Sequence, residues 1–311
     1  VKAAVINKYG RVGDVVTVAE VPAPEVGSQD VLIEVRAAGV NPIDHLTVKG
    51  FMQPGELSQT RILGNEVAGV VAAVGDGVTA FAVGDEVFSR VDPRVGGGFA
   101  EFVAVHENLV AAKPAQLSFE EAASLPLVAL TAWQALTEQT QLRAGQRVLI
   151  HGGTGGVGSA AIQIAKHLGA EVVTTVGTDG VEQARGLGAD QIVEYRKEKF
   201  DEVVGAVDVV LDTVGGDTQA RSFAVLKPGG ALVSIVLVPD IEAQRERWGV
   251  SVSAFFMHPD GAQLAELAGL VESGELKPVV QQVFPLDQAA AALLAVEGGR
   301  ARGKTVLSVR P

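Results

Sequence analysis

The apolar positions of the chain change their spacing twice. Over the first hundred residues, short runs rich in β-branched side chains alternate with turn formers. The runs are Val1–Ile6, Val31–Val35, Val67–Val74 and Phe102–Val105, and the punctuation is Pro22, Pro24, Pro42, Pro54 and Gly96-Gly97-Gly98. That texture predicts an irregular all-β module. Between Ala115 and Leu125 the pattern turns helical. Ser118-Phe119-Glu120-Glu121 has the spacing at which a hydroxyl and a carboxylate cap each other's free backbone N–H groups, so a helix is expected to start there.

From Gln146 strands and helices alternate. The strands are Arg147–Ile150, Glu171–Thr175, Gln191–Val193, Val207–Asp212 and Ala231–Ile235, with helices from about Gly156 to Leu168 and from about Val181 to Leu187. Such alternation predicts an α/β domain built on a doubly wound parallel sheet covered on both faces. Beyond it come an apolar stretch, Val250–Phe256, two Ala/Leu-rich helices, Gly261–Val271 and Gln288–Val296, and a last strand, Thr305–Val309. Val250–Phe256 reads as an apolar edge strand, which invites pairing with a second copy in a homodimer. A strand covered by the terminal helices is the alternative.

Composition narrows the chemistry. The chain has 311 residues, which points to two domains at about 100–200 residues each. Its 47% hydrophobic and 20% charged content is that of a globular protein. With 25 Lys plus Arg against 37 Asp plus Glu, the formal charge is −12, and no basic stripe suited to nucleic acid is found. Cysteine is absent, which excludes disulfides, thiol nucleophiles and thiolate zinc sites. Apolar runs such as Ala289–Val296 are too short to span a bilayer, so no membrane partner and a cytoplasmic location are expected.

The strand Val148-Leu149-Ile150 leads into His151-Gly152-Gly153-Thr154-Gly155-Gly156-Val157-Gly158 and then a helical run. Gly153, Gly155 and Gly158 satisfy Gly-x-Gly-x-x-Gly: a tight turn, an open approach for a pyrophosphate, and close packing of helix on strand. Strand, turn and helix in this order predict a dinucleotide on the positive end of the helix, held by Gly153, Gly155, Gly156, Val157 and Gly158. A carboxylate at the end of the second strand would accept from the ribose 2′-hydroxyl of NAD. Here Thr174-Thr175-Val176-Gly177-Thr178 ends without one, and Asp179 lies just beyond. NADP is therefore expected. Thr178 and Tyr195 offer neutral contacts worth about 1 kcal/mol each, against roughly 1.5–3 kcal/mol for a charged donor. Arg185 or Arg196 could add the charge, with a solvated surface cation as the plainer reading of each.

Several segments together resemble the medium-chain dehydrogenase/reductase superfamily, in its zinc-free quinone oxidoreductase and alkenal reductase branch. They are Ala38-Gly39-Val40-Asn41-Pro42-Ile43-Asp44, Leu63-Gly64-Asn65-Glu66, Val83-Gly84-Asp85-Glu86-Val87, Gly98-Phe99-Ala100-Glu101-Phe102, Leu130-Thr131-Ala132-Trp133, the glycine loop, Leu187-Gly188-Ala189-Asp190, Asp212-Thr213-Val214-Gly215-Gly216 and Arg302-Gly303-Lys304. The resemblance implies a partly open β-barrel, GroES-like catalytic domain over residues 1–117. It also implies a Rossmann domain over 118–256 and a segment 257–311 that completes the catalytic domain, with the active site in the cleft. Asn41 and Asn65 stand where zinc-dependent relatives have a cysteine and a histidine, and amides are poor zinc ligands.

By the same resemblance the protein would deliver hydride from NADPH to a quinone or to the β-carbon of an α,β-unsaturated carbonyl, with no metal. Asn41 and Asp44 would be catalytic, Asn41 beside the nicotinamide. Thr131, Val214 and Lys304 would also hold the cofactor, Thr178 and Tyr195 the adenosine 2′-phosphate. Phe51 and Phe256 would line the substrate pocket, with Asp44 at its border. Phe51 replaces a tyrosine common among relatives, and Val181 a lysine. Plainer readings stand beside these: Asn41-Pro42 as a turn, Asp212 as a cap for the turn after it, and His151 as a structural residue. An NADP-binding sensor and an alcohol dehydrogenase are the alternative functions.

Overall fold

The computed structural model describes residues 1–51, 57, 59–299 and 302–310. Pro54, one of the turn formers, falls among residues 52–56 and 58, outside the described residues. Contacts divide the chain into two units: Val1–Leu130 with Pro259–Gly274 and Pro278–Pro311, and Thr131–His258 with Glu275–Lys277.

The first unit begins with β1 (Lys2–Ile6), α1 (Val12–Val15), β2 (Thr17–Glu20), β3 (Asp30–Val40), α2 (Pro42–Val48), β4 (Arg61–Ile62) and β5 (Glu66–Val74). It continues with β6 (Glu86–Arg90), β7 (Phe102–His106), β8 (Val110–Ala112) and α3 (Phe119–Ala123), then α4 (Pro126–Gln134), which runs across the boundary. The second unit holds β9 (Arg147–His151), α5 (Gly156–His167), β10 (Glu171–Val176), α6 (Val181–Gly186), β11 (Gln191–Glu194), α7 (Phe200–Val203), β12 (Val207–Asp212), α8 (Gly216–Ser222), β13 (Leu226–Ser234), α9 (Ile241–Trp248) and β14 (Ser251–Ala254). The chain returns to the first unit through α10 (Gly261–Glu272), β15 (Val280–Pro285), α11 (Ala289–Glu297) and β16 (Lys304–Ser308).

In the first unit a small sheet runs β2-β1-β4, and a larger one runs β15-β16-β3-β5-β6-β8, with β7 also on β3. These pairings are antiparallel except β15 with β16. β3 outruns the expected Val31–Val35, because its alternation of buried and half-buried positions continues through Arg36 into Ala37-Ala38-Gly39-Val40. Those small residues lie against α3, whose Ala122 and Ala123 are fully buried. This packing keeps α3 in the first unit, so the contact boundary falls at Leu130 rather than at 117. The expected Asn-Pro turn is instead a helix start: Asn41 is the N-cap of α2 and Pro42 its first residue, where a missing N–H costs nothing.

The second unit is a parallel sheet in the order β11-β10-β9-β12-β13-β14. Strands covered on both faces become continuous apolar runs. Val193, Val173, Leu149, Val210, Leu232 and Val252, one from each strand, join a core completed by Phe200, Phe223 and Val204. Each such side chain contributes about 1.5–3 kcal/mol when fully buried. Between β13 and β14 lies α9, whose residues are all at least partly exposed. The edge strand is Ser251–Ala254, shorter than the expected Val250–Phe256.

Ser118 accepts from the Glu121 N–H at 3.1 Å, and the Glu121 carboxylate accepts from the Ser118 N–H at 2.9 Å. Ser118→Ala is expected to cost about 1 kcal/mol. Denaturant unfolding monitored on the intact chain checks this, and an unchanged midpoint would show that the cap is dispensable.

Candidate functional site

In the second unit the strand order reverses between β9 and β12, and ligands of open parallel sheets bind outside the carboxyl ends of strands at such a reversal. The loop after β9 is the glycine motif. Gly152 takes φ +69°, the left-handed region open to glycine, and the chain then turns into α5 at Gly156. A Cβ on Gly158 would lie 2.2 Å from the Gly152 carbonyl oxygen, and one on Gly153 would lie 2.1 Å from Thr174 Oγ1. The backbone of α5 at Gly158 therefore lies directly on the loop that leaves β9, and the Gly153 backbone on the Thr174 side chain. Gly155, Gly156 and Val157 are half-buried at the start of α5, where the first N–H groups have no acceptor within the helix. These residues fit a pyrophosphate.

The loop after β12 is stitched by Asp212. Its Oδ1 accepts from the N–H groups of Val214 and Gly215, both at 2.9 Å, and its Oδ2 from Gln219 Nε2 at 2.7 Å and Ser234 Oγ at 2.9 Å. Asp212 thus takes the capping role weighed for it. The N–H of Val214 is engaged, which leaves its 54% exposed side chain and its carbonyl for any nicotinamide contact. Val214, Gly215, Gln219, Phe223, Val236 and Leu237 line an open pocket of about 410 Å³. His151 is fully buried, with Nε2 on Ser222 Oγ at 2.8 Å and Nδ1 on Thr175 Oγ1 at 3.0 Å. Burial lowers its pKa to about 4, opposed by nearby Asp212. It is a neutral member of the sheet interior.

At the neighbouring carboxyl ends, Thr178 begins a single turn after β10, and Tyr195 follows β11 with its N–H on the Val176 carbonyl at 3.1 Å. The Tyr195 hydroxyl would lie 3.5 Å from a Cβ placed on Gly177. The structure therefore brings Gly177, Thr178 and Tyr195 together. Phe256, beyond β14, is 58% exposed. Thr131 is buried in α4.

In the first unit, Asn41, Asp44 and Lys304 come together with Asn65, Glu66 and Arg90 in a buried polar cluster. Lys304 Nζ donates to the Val40 carbonyl at 2.9 Å, Asn41 Oδ1 at 2.5 Å and Glu66 Oε1 at 2.8 Å, which uses all its donors. Asn41 Nδ2 donates to Glu66 Oε1 at 2.6 Å, and the Leu127 N–H donates to Glu66 Oε2 at 2.7 Å. Gly39 makes room for this: a Cβ there would lie 2.2 Å from Glu66 Oε1 and 2.5 Å from the Ala123 carbonyl oxygen. Asp44 accepts from the Asn41 N–H at 2.8 Å and from Asn65 Nδ2 at 2.5 Å. Arg90 donates from Nη1 to the carbonyls of Asn65 and Val91, while its Nε and Nη2 have no partner among the described residues.

Asn41 is 1% exposed, Asp44 0% and Lys304 5%, and their polar atoms face one another. They hold β3, β5 and β16 together. Phe51, 72% exposed after α2, is the expected pocket residue of this unit that remains open. Sequence reasoning gave no role to Glu66 or Arg90. The available signal was a cation closing the apolar strand Val87-Phe88-Ser89-Arg90, directly opposite Glu66 in the β5–β6 register.

A glycine loop at the reversal point of a parallel sheet, in a chain that also carries a β-rich unit, is the arrangement of dinucleotide-binding oxidoreductases. Residues 27–115 match the alcohol dehydrogenase GroES-like domain and residues 187–307 the zinc-binding dehydrogenase family. Residues 118–226 also match glutamate/leucine/phenylalanine/valine dehydrogenase. The chain is 35% identical to the chloroplastic NADPH-dependent alkenal/one oxidoreductase of Arabidopsis thaliana, over 98% of this chain and 79% of that protein. It resembles the solved Escherichia coli quinone oxidoreductase complexed with NADPH, with TM-score 0.89, 29% identity, and coverage of 99% and 100%. A solved NAD-dependent alcohol dehydrogenase is similar too, with TM-score 0.91, 33% identity and 100% coverage of both chains. The chain belongs to the medium-chain dehydrogenase/reductase superfamily and is an oxidoreductase.

Burial lifts the Asp44 carboxyl to about 6, against the hydrogen bonds from Asn41 and Asn65 and the charges of Lys304 and Arg90. Its folded value lies above the ordinary 3.8, so the protonated form stabilises the fold. That contribution is complete below pH 3.8 and lost as pH rises through about 6. Asp44→Asn removes the titration. The stability of the wild type relative to this variant is therefore expected to fall between pH 4.5 and 7.5 in denaturant unfolding, and a pH-independent difference would contradict the assignment.

Proposed function

We propose that the protein is an NADPH-dependent, zinc-independent reductase of quinones or α,β-unsaturated carbonyls. The observation that carries this is the α5 amino terminus, opened by Gly153, Gly155 and Gly158 at the sheet's reversal point, beside a β10 that ends in Val176-Gly177-Thr178 without a carboxylate. When bound, the reduced nicotinamide supplies the hydride. The chain's own residues bind and orient: the glycine loop and Val157 take the pyrophosphate, Thr178 and Tyr195 the adenosine 2′-phosphate, and Val214 borders the nicotinamide. Thr131 shapes the wall behind the ribose, and Phe51 and Phe256 offer exposed aromatic surface to an apolar acceptor. Asn41, Asp44 and Lys304 act as positioning residues through the cluster around Glu66.

Zinc independence is supported by the donors present. In that cluster the oxygens of Asp44 and Glu66 are occupied, Asn41 and Asn65 are amides, and Lys304 and Arg90 already supply positive charge. A zinc ion does not fit these residues. Hydride addition to an electrophilic carbon needs no metal to ionise an alcohol, which agrees with this donor set. The names of the Arabidopsis and Escherichia coli relatives support an NADPH-linked oxidoreductase of enones or quinones.

We also infer a homodimer through β14, the last strand in its sheet's order, with Phe256 exposed beyond it. Sedimentation at micromolar concentration is expected to give a dimer, and a monomer would exclude it.

Turnover is measured with NADPH or NADH against a panel of quinones, enals and alcohols, with metal content determined on the same sample. Oxidation of NADPH by an enal or quinone in zinc-free protein is expected; turnover confined to alcohols with stoichiometric zinc would overturn the reading. Gly155→Ala separates binding from folding. Its φ of −73° suits alanine, and the new Cβ would lie 3.3 Å from the Gly152 carbonyl oxygen, a small adjustment. Folding is expected to survive while nucleotide affinity falls roughly tenfold or more, the loss of at least one charged contact. Unchanged affinity would remove the pyrophosphate from this loop.

A further inference from the structure

The ends of β10 and β11 carry more charge than the NADPH reading uses, and of both signs. Glu194, the last residue of β11, is a carboxylate beside Thr178, whose hydroxyl it accepts. Left free, it would repel a 2′-phosphate and attract a ribose hydroxyl, which is the recognition expected of NAD. It is not free: Lys197 Nζ lies 2.8 Å from Glu194 Oε2, and the Lys197 N–H closes a turn on the Glu194 carbonyl at 2.8 Å. Asp179, the other nearby acid, is exposed in the turn after Thr178.

Of the cations in reach, Arg185 is already paired with Glu182 within α6. Arg196 makes no ion pair with a described residue, and its guanidinium carbon lies 5.6 Å from the centre of the Tyr195 ring. The Tyr195 N–H is fixed to the end of β10 and its ring lies beside Gly177, so the guanidinium rests on a ring held at that end of the sheet. A planar guanidinium braced on an aromatic face suits bidentate recognition of a phosphate.

We infer that Arg196 is the cation that receives the adenosine 2′-phosphate, and that Lys197 is a specificity-determining residue that keeps Glu194 occupied. The inference rests on the NADPH reading above. It assigns to two neighbouring residues of β11's exit the charge that Val181 cannot supply at the start of α6. Arg196 attracts the extra phosphate directly, and Lys197 removes the carboxylate that would otherwise select against it.

Dissociation constants for NADPH and NADH, measured by calorimetry on the intact chain, test this without relying on turnover. In the wild type, tighter binding of NADPH checks the NADPH reading itself, and equal affinities would remove that reading together with the inference. Given a wild-type preference, Arg196→Leu is expected to weaken NADPH roughly ten- to a hundredfold and to leave NADH unchanged. Arg185→Leu should leave both unchanged. Lys197→Met should weaken NADPH several-fold, and adding Glu194→Gln should restore it. A wild-type preference that survives Arg196→Leu, an Arg196→Leu effect of equal size on both nucleotides, or a Lys197→Met chain with wild-type affinities would overturn the inference while leaving the NADPH reading intact.

Discussion

The nucleotide side of the protein depends on one close contact, the backbone of α5 at Gly158 against the carbonyl of Gly152. Any side chain at Gly158 would stand 2.2 Å from that oxygen and push the helix off β9. Only because the contact is bare does the helix begin at the end of the strand, with its unpaired N–H groups facing out at the reversal of the sheet. The fully buried Ala161, Ile162, Ile164 and Ala165 hold α5 there, so its aim is set by core packing rather than by the loop itself. The Asp212 carboxylate does the same for the loop after β12, binding backbone, α8 and β13 at once.

The first unit sets a cluster of buried charges beside its apolar core. Burying the Lys304–Glu66 pair carries a desolvation cost that Coulomb attraction offsets only with good geometry and full hydrogen bonding. Asn41, the Val40 carbonyl and the Leu127 N–H provide that bonding. The cluster ties β3, β5, β16 and the start of α4 together, segments distant in sequence but joined by two ion-paired side chains. Arg90 is its unfinished member, a fully buried guanidinium with Nε and Nη2 unpartnered among the described residues.

Much of the second unit was legible in the sequence. Val207–Asp212 and the helix from Gly156 were readable because strands buried on both faces must be apolar throughout, and because the glycines have a mechanical purpose. The polar α9 and the half-exposed β15 carried no periodic signal, so neither was anticipated; both depend on neighbours, α9 on β14 and β15 on β16. β3 was read short because Ala and Gly are poor strand formers in isolation and gain their place from α3 packed on them. Asn41, Asp44 and Lys304 were named through resemblance. That Asn41 and Lys304 face each other, and that Glu66 and Arg90 complete the group, needed the register of β3, β5, β6 and β16. Sequence spacing does not carry that register.

Hydrogen exchange read by mass spectrometry, with and without NADPH, locates the nucleotide most directly. The account predicts slowed exchange over Gly152–Gly158 and over the Gly177–Thr178 and Tyr195 segments. Saturating NADPH that leaves the start of α5 exchanging at its unliganded rate would contradict it.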